Sequence, residues 1–257
     1  MPSAVPSRSA RAISLRRRIA DHPAFILPRD FTLFLRGART DNAIKLARAS
    51  MGARAAFEAA YTSSADPWSS AAPRYRYQSR KYDQIIALLP DRHFGNVLDL
   101  GCGIGLLSRR LAQRANHVLG LDVAAAALVH ARRLTSDLGN VGFDQGDILD
   151  LPTALDGCFD LVVIADTLYY LDPLTDEMLK ALSTRMAALL RPGGVCVLAN
   201  HFFFSADAES RVSRRIHDAF TWSPSFTVIR QHRRAFFLVS LLSGPPLHHQ
   251  SLAHQPG

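Results

Sequence analysis

A glycine-rich turn that joins a strand-like run to a helix-like run is the part of this sequence best suited to chemistry. The residues Gly-Cys-Gly-Ile-Gly occupy positions 101–105 and follow the strand-like run Val97–Leu100. Glycine lets a backbone adopt positive φ angles and lets a ligand approach it without a Cβ in the way. A turn of this kind, at the carboxyl end of a strand in a doubly wound sheet, is typical of sites for nucleotide-like cofactors.

The spacing of the glycines indicates which cofactor the turn would bind. A dinucleotide fingerprint has its third glycine three residues after the second. This chain has Leu106 at that place, and its third glycine comes early, at Gly105. Asp99 adds a carboxylate two residues before the first glycine, which would repel a pyrophosphate and attract a cationic amino-acid group. The combination predicts S-adenosylmethionine rather than NAD.

The chain that must position this turn alternates between strand-like and helix-like runs. The alternation predicts an α/β fold, a doubly wound Rossmann-like seven-stranded sheet with an antiparallel last strand and helices on both faces. The predicted strands end at Leu100, at Asp122 and before Gly146, and the later ones are Phe159–Asp166, Val195–Asn200, Phe226–Arg230 and Ala235–Leu241. The predicted helices are Met51–Tyr61, Gln78–Leu89, Leu106–Arg114, Ala124–Leu138, Asp176–Leu190 and Asp207–Phe220.

Five short motifs in this order resemble the class I S-adenosylmethionine-dependent methyltransferases. The motifs are Val97–Gly105, Gly120–Val123, Gly146–Ile148, Phe159–Asp166 and Leu190–Asn200. The resemblance extends over about Phe57 to Leu242. It implies that the chain binds S-adenosylmethionine and transfers its methyl group to an acceptor.

The resemblance also implies roles for residues at the strand ends. Asp122 would accept hydrogen bonds from the ribose hydroxyls, and its alternative role is to cap the following helix. Asp147 would accept from the adenine amino group while Ile148 packs on the ring. Trp68 and Tyr82 are candidates for a lid over the cofactor, although Trp68 could instead anchor the N-terminal helix. The full set of candidate cofactor-binding residues is Asp99, Gly101, Cys102, Gly103, Asp122, Val123, Asp147, Ile148, Ala165, Trp68 and Tyr82.

The end of the fourth strand indicates the class of acceptor. Family members that methylate nucleic-acid bases carry two prolines here, whereas this chain has Asp166-Thr-Leu-Tyr-Tyr. Tyr169 and His201 are the candidate catalytic residues, because Tyr169 could shape an acceptor pocket and His201 could take a proton from the acceptor. Core packing of the tyrosine and a structural hydrogen bond from the histidine remain as alternatives.

A narrower resemblance concerns the region before the first strand. Asp66–Trp68, Tyr77–Tyr82 and Leu88–Pro90 resemble NodS-like methyltransferases, which N-methylate the amino sugar of chitooligosaccharide nodulation signals. That group typically has an acid where this chain has Gln78. The resemblance implies a small-molecule acceptor, an amino sugar or glycolipid precursor. Two alternatives stay open, an O-methyltransferase of a small hydroxylated metabolite and a non-catalytic cofactor-binding scaffold.

The charge of the chain is concentrated at its beginning. Residues 1–50 hold ten Lys/Arg and three Asp/Glu, and the rest of the chain holds twenty and nineteen. A nearly neutral body argues against a nucleic-acid partner. We expect a basic N-terminal extension over residues 1–50, a methyltransferase domain over 51–243 and a flexible tail over 244–257. Residues 1–20 leave three interpretations open, a transit peptide, a disordered arm and a start codon assigned too far upstream.

Cysteine usage and hydropathy indicate the compartment. Cys102, Cys158 and Cys196 show no metal-ligand spacing, so no metal site is expected, and they are typical of reduced cysteines in a cytoplasmic protein. No apolar run reaches the roughly 18 residues that a membrane-spanning helix needs. The sequence therefore predicts a cytoplasmic protein without a membrane span, and it leaves the oligomeric state open.

Overall fold

A seven-stranded sheet organises residues 28–73, 75–202, 208–234 and 236–244, which are the parts described by this computed structural model. The strands are β1 (Phe94–Leu100), β2 (Ala115–Asp122), β3 (Val141–Gln145), β4 (Phe159–Ala165), β5 (Leu190–His201), β6 (Thr227–Arg234) and β7 (Phe237–Ser243). Their order in the sheet is β3-β2-β1-β4-β5-β7-β6. Strands β1 to β5 pair in parallel, and β7 lies antiparallel between β5 and β6. The predicted fold class is confirmed.

Helices cover both faces of this sheet. They are α1 (Pro28–Met51), α2 (Ala53–Ser63), α3 (Arg76–Leu88), α4 (Leu106–Leu111), α5 (Ala125–Leu134), α6 (Asp176–Ala188) and α7 (Ala208–Thr221). Short 3₁₀ turns occur at Ala112–Arg114, Thr153–Leu155 and Leu168–Tyr170. Helices α6 and α7 contribute Leu179 and Ile216 to the core on one face, while α3 and α4 contribute Ile85 and Leu107 to the core on the other.

The central strands supply both cores because their side chains alternate. In β4, Val162 and Ile164 belong to the core under α6 and α7, whereas Leu161 and Val163 belong to the core under α3 and α4. Successive residues of a strand point to opposite faces, so a strand that is buried on both sides needs a continuous apolar run. The sequence Phe159–Ala165 meets this need, and β4 is the middle strand of the seven.

Two predicted helices are shorter in the structure. The helix predicted over Ala124–Leu138 ends at Leu134, because Asp137, Gly139 and Asn140 favour a turn before β3. The helix predicted over Leu106–Arg114 tightens into a 3₁₀ turn after Leu111. These differences leave the glycine-rich turn and the ends of β1 and β2 in their predicted places. Strand β6, predicted to end at Arg230, continues to Arg234.

Helix α1 is the largest difference from the sequence-based expectation. Residues 28–50 were expected to belong to a separate basic extension, but Leu33 and Ile44 are 2% and 3% exposed. Ile44 packs with Ala56 of α2, and the Lys45 ammonium lies 2.6 Å from Glu209 Oε1 on α7. Contacts with distant elements therefore join this helix to the domain. The rest of the predicted extension, residues 1–27, and the predicted tail from residue 245 onward lie outside the described residues.

No helix within the described ranges is both long and apolar enough to cross a membrane.

Candidate functional site

A cavity of about 320 Å³ opens at the carboxyl ends of the parallel strands. Residues at the ends of β1, β2, β4 and β5 form one side of it, and helices α1, α2 and α3 form the other. Strands β1 and β4 are neighbours, yet the chain continues from β1 toward β2 and from β4 toward β5. The cavity thus lies at the switch point where doubly wound sheets bind ligands, and its volume suits one.

The cavity collects nearly all of the sequence-predicted site residues. Twelve of the thirteen candidates line it, namely Trp68, Tyr82, Gly101, Cys102, Gly103, Asp122, Val123, Asp147, Ile148, Ala165, Tyr169 and His201. The thirteenth, Asp99, is not among its lining residues.

The glycine-rich turn has a backbone that only glycine accommodates well. Gly101 and Gly103 have φ angles of 70° and 53°. A Cβ on Gly101 would collide with the side chain of Thr167, and a Cβ on Gly103 would lie 2.8 Å from the Tyr61 hydroxyl. The amides of Gly101 and Cys102 donate to the Leu121 carbonyl of β2 at 2.8 and 3.0 Å. The turn is therefore held against β2 and faces α2.

Asp122, at the end of β2, is hydrogen-bonded to the glycine-rich turn and also lines the cavity. Its Oδ2 accepts from the Gly103 amide at 2.8 Å, and its Oδ1 accepts from the Ala124 amide at 3.0 Å. Burial raises the pKa of Asp122, and the backbone donors act in the opposite direction. The carboxylate thus has the helix-capping contact as well as the position expected of a ribose acceptor.

Asp99 lies behind the turn instead of in the cavity. Its Oδ2 accepts from Ser108 Oγ at 2.6 Å, and the side chain is 2% exposed. Burial raises the pKa of Asp99 to about 6. The alternation of β1 explains this position, because Leu98 and Leu100 face the core under α6 and α7, whereas Val97 faces the core that contains α4. Asp99 shares the face of Val97 and meets Ser108 of α4.

Asp147 and Ile148 form the far end of the cavity, beyond β3. Asp147 Oδ1 accepts from the Leu149 amide at 2.9 Å, which fixes the carboxylate in a short turn. Ile148 packs against the core under α6 and α7. A carboxylate beside an apolar side chain is the arrangement that the resemblance implied for an adenine ring.

Trp68 contacts both the cavity and helix α1. It lines the cavity, and its Nε1 donates to Asp41 Oδ1 on α1 at 2.7 Å. Its ring lies 5.6 Å from that of Tyr61, centroid to centroid. Tyr82 also lines the cavity, and its hydroxyl accepts from Gln78 Nε2 at 2.8 Å.

The two candidate catalytic residues lie against each other. The rings of Tyr169 and His201 have their centroids 4.3 Å apart in an edge-to-face arrangement. The second tyrosine, Tyr170, lies 4.5 Å from Tyr169. Glu209 of α7 places Oε2 3.5 Å from His201 Nε2, and this contact is the main reason why the pKa of Glu209 is lowered to about 2. Burial raises the pKa of Tyr169 well above its usual value, so its hydroxyl stays protonated.

Sequence reasoning missed a buried ion pair in the cavity wall. The Lys81 side chain of α3 is 4% exposed and pairs with Asp166, directly after β4. Its ammonium lies 5.9 Å from the Tyr77 ring and 5.7 Å from the Tyr82 ring. The available signal was a lysine four residues after Tyr77 and directly before Tyr82. The role of Asp41 left no local signal, because its partners Trp68 and Tyr170 lie far along the chain.

Within the described residues, no group of three or more His, Cys, Asp or Glu side chains is arranged to hold a metal ion.

Comparisons with known proteins point to one class of enzyme. Residues 97–194 match the family model of a methyltransferase domain. Trans-aconitate 2-methyltransferase of Deinococcus radiodurans is 42% identical over 120 residues, which cover 45% of this chain and 42% of that protein. Nodulation protein S of Sinorhizobium fredii is 24% identical over 155 residues, which cover 60% of this chain and 66% of that protein. The chain thus spans less than two thirds of the length of these curated relatives.

A solved structure has the same fold. The N-methyltransferase NodS from Bradyrhizobium japonicum WM9, in complex with S-adenosyl-L-homocysteine, superposes with a TM-score of 0.62. The match covers 75% of this chain and 98% of that one, at 23% identity. At this identity the likeness concerns the architecture of the sheet and its helices.

Proposed function

We propose that this chain, which carries a class I S-adenosylmethionine-dependent methyltransferase domain resembling NodS, methylates the amine of a small molecule. The proposed acceptor class is an amino sugar or glycolipid precursor. The observation that carries the proposal is the single cavity that joins the glycine-rich turn and Asp122 to an aromatic chamber around Tyr169 and His201. Groups suited to cofactor binding and a candidate proton acceptor thus line the same cavity.

The residues of the cavity fit S-adenosylmethionine by their chemistry. Asp122 and Asp147 offer carboxylate oxygens to the ribose hydroxyls and the adenine amino group, and Ile148 offers an apolar face to the ring. The buried ammonium of Lys81 would pair with the carboxylate of the cofactor. When bound, the cofactor supplies a methyl group that is already activated on a positively charged sulfur.

The work left to the protein is to align the acceptor, to exclude water and to take up one proton. Phe57, Trp68 and Tyr170 pack edge to face or tilted against one another and narrow the chamber. His201 is the proposed proton acceptor. The ionised Glu209 beside it would stabilise the imidazolium that forms, since a nearby opposite charge favours the charged state.

The choice of an amine over a hydroxyl rests on two supports. The first is the NodS-like pattern in Asp66–Trp68 and Tyr77–Tyr82. The second is the acid–base chemistry of the chamber, because an amine needs only to be neutral when it attacks, which one histidine can ensure. A sugar hydroxyl needs a stronger base, and Tyr169, whose pKa is raised by burial, does not supply one.

The test is the mass of the product. The full chain is incubated with S-adenosylmethionine and a chitooligosaccharide deacetylated at its non-reducing end, and in parallel with the fully N-acetylated form. We expect one added methyl group on the free amine, located by fragmentation, and no product from the acetylated form. Methylation of both forms alike would favour the O-methyltransferase. Cofactor binding without any product would favour the scaffold, with these sugars rejected as acceptors.

A second arm tests the histidine. His201→Ala should lower the rate by as much as the ~10²–10⁴-fold that general bases contribute. The loss should shrink as the pH is raised, because more of the amine is then neutral. A loss that does not change with pH would contradict the role of His201 as a proton acceptor.

A further inference from the structure

A carboxylate on α1 faces the cavity with half of its hydrogen-bonding capacity unused. Asp41 Oδ1 accepts from Trp68 Nε1 at 2.7 Å and from the Tyr170 hydroxyl. Oδ2 accepts no hydrogen bond from any described residue, although a carboxylate oxygen has two lone-pair sites. No described Lys, Arg or His side chain forms an ion pair with Asp41. The nearby Lys45 pairs with Glu209 instead.

Two aromatic side chains contact this carboxylate, and two more pack against them. Trp68 and Tyr170 hold it, and their ring centroids lie 6.4 Å apart. The ring centroid of Tyr170 lies 5.0 Å from that of Phe57 and 4.5 Å from that of Tyr169. Tyr169 in turn packs against His201. All five residues line the cavity. Aromatic rings close to a carboxylate attract organic cations, since the ring quadrupole and the negative charge act in the same direction.

We infer that Asp41 and the rings of Phe57, Trp68, Tyr169 and Tyr170 form an ammonium subsite, which binds the acceptor amine in its cationic form. The inference rests on the proposed function and assigns a location to its acceptor. Burial is the main cause that raises the pKa of Asp41, and a bound cation would act in the opposite direction.

The subsite fits the chemistry of N-methylation. The captured ammonium gives one proton to the His201 imidazole, and the lone pair that remains on nitrogen forms the new N–C bond. The carbon–sulfur bond breaks at the same time, and its electron pair stays on sulfur. The methylated nitrogen then carries the positive charge and remains between the rings. An acceptor hydroxyl, which is neutral, gains neither the ion pair nor the cation–π attraction, so the subsite selects amines.

The test compares a cation with its neutral isostere at equilibrium. Choline and 3,3-dimethyl-1-butanol have nearly the same shape and differ in charge. Calorimetric titration of the full chain, saturated with S-adenosylhomocysteine, should show choline binding tighter by on the order of tenfold or more, as expected for a charge-assisted contact. Asp41→Asn retains an oxygen that accepts from Trp68 and Tyr170, so the fold should persist while the preference for choline disappears.

Matched controls separate the possible outcomes. Asp137→Asn removes an exposed carboxylate that pairs with Arg109 and should leave the preference unchanged. Equal binding of the two probes, or an unchanged preference in Asp41→Asn, would overturn the subsite. Choline that binds only without S-adenosylhomocysteine would assign Asp41 to the cofactor and overturn it as well. Failure of S-adenosylhomocysteine itself to bind would instead contradict the proposed function, so the two failures are distinguishable.

Discussion

The two sides of the cavity are built in different ways. The sheet side consists of the strand ends of β1, β2, β4 and β5, and its contacts are mostly backbone hydrogen bonds, such as those from Gly101 and Cys102 to Leu121. The helical side, α1 to α3, is held by side chains that reach far along the chain. The Tyr170 hydroxyl donates to Asp41, which is 129 residues away in the sequence, and the Lys45 ammonium donates to Glu209, which is 164 residues away. The parallel topology fixes the sheet side, whereas individual side chains fix the helical side.

This difference suggests that the two sides of the cavity have different roles in binding. A sheet edge fixed by backbone pairing presents the same groups to a cofactor whatever the surrounding side chains are. A wall held by aromatic and charged side chains can change its shape by substitution without disturbing the sheet. We therefore propose that most cofactor contacts come from the sheet side, with Lys81 of α3 as the exception. Acceptor selection then depends on the helical side together with Tyr169 and His201. Variants on each side should separate the two roles.

The largest effect is expected from Ile44→Asp on α1. Ile44 is buried against Ala56 and Tyr170, and an unpaired charge there should weaken the docking of the helix by roughly 3–5 kcal/mol. Turnover of the deacetylated chitooligosaccharide should fall by on the order of 10²-fold, because the wall no longer orients the acceptor. S-adenosylhomocysteine affinity, measured by calorimetry, should remain. Leu46→Asp on the same helix is the control, since Leu46 is 77% exposed. Equal losses of affinity and turnover would contradict these separate roles.

The next effect concerns the pH dependence of stability at Asp99. Its pKa is about 6 in the folded protein against 3.8 for a free side chain, so the folded state binds more protons between these values. Stability from this group is complete below about pH 4 and is lost as the pH rises through 6, in total roughly 3 kcal/mol. Urea unfolding of Asp99→Asn should lack this decline. S-adenosylhomocysteine affinity should not change, because Asp99 lies behind the turn. Parallel stability curves, or weaker binding, would refute this placement.

Asp122→Ala should act on the cofactor. The loss of a carboxylate that faces the cavity should weaken S-adenosylhomocysteine binding by roughly 1.5–3 kcal/mol, the range for hydrogen bonds to charged groups. Asp144→Ala is the matched control, because Asp144 is exposed on β3 and does not line the cavity. Unchanged affinity in Asp122→Ala, with normal thermal unfolding, would remove Asp122 from the cofactor site.

The smallest effect is expected at the contact between Gly103 of the turn and Tyr61 of α2, where the two sides of the cavity touch. Gly103→Ala keeps a positive φ that costs about 1–2 kcal/mol for a residue with a Cβ, and it places that Cβ 2.8 Å from the Tyr61 hydroxyl. Tyr61→Phe removes the hydroxyl, so the double variant should recover part of the lost stability in a double-mutant cycle. Additive losses would show that α2 does not press on the turn.

Sequence reasoning succeeded on the sheet side for a physical reason. Strand alternation and turn glycines are local features, so the seven strands and the positions of Gly101, Asp122 and Asp147 could be predicted from short segments. Asp99 is the exception, because a sequence motif alone does not show toward which face of the strand a side chain points. Its place in the sequence suggested a ligand contact, but the alternation of β1 turns its side chain toward Ser108.

On the helical side, α2 and α3 were predicted as helices, but α1 and the packing of the three helices could not be predicted, because the contacts are long-range. The sequence of α1 mixes arginines with apolar residues, and Phe31 and Leu46 are exposed while Leu33 and Ile44 are buried. Such a pattern does not identify a packing face in advance. Asp41 has no partner near it in sequence, so its role as a junction between α1, Trp68 and Tyr170 depends on the folded chain.

The most direct test of this account is a calorimetric titration of the full chain with S-adenosylhomocysteine and, separately, with NAD. We expect one site for S-adenosylhomocysteine, no binding of NAD, retained affinity in Ile44→Asp and weakened affinity in Asp122→Ala. Binding of NAD, or no binding of S-adenosylhomocysteine to the unmodified chain, would contradict the assignment of the cavity.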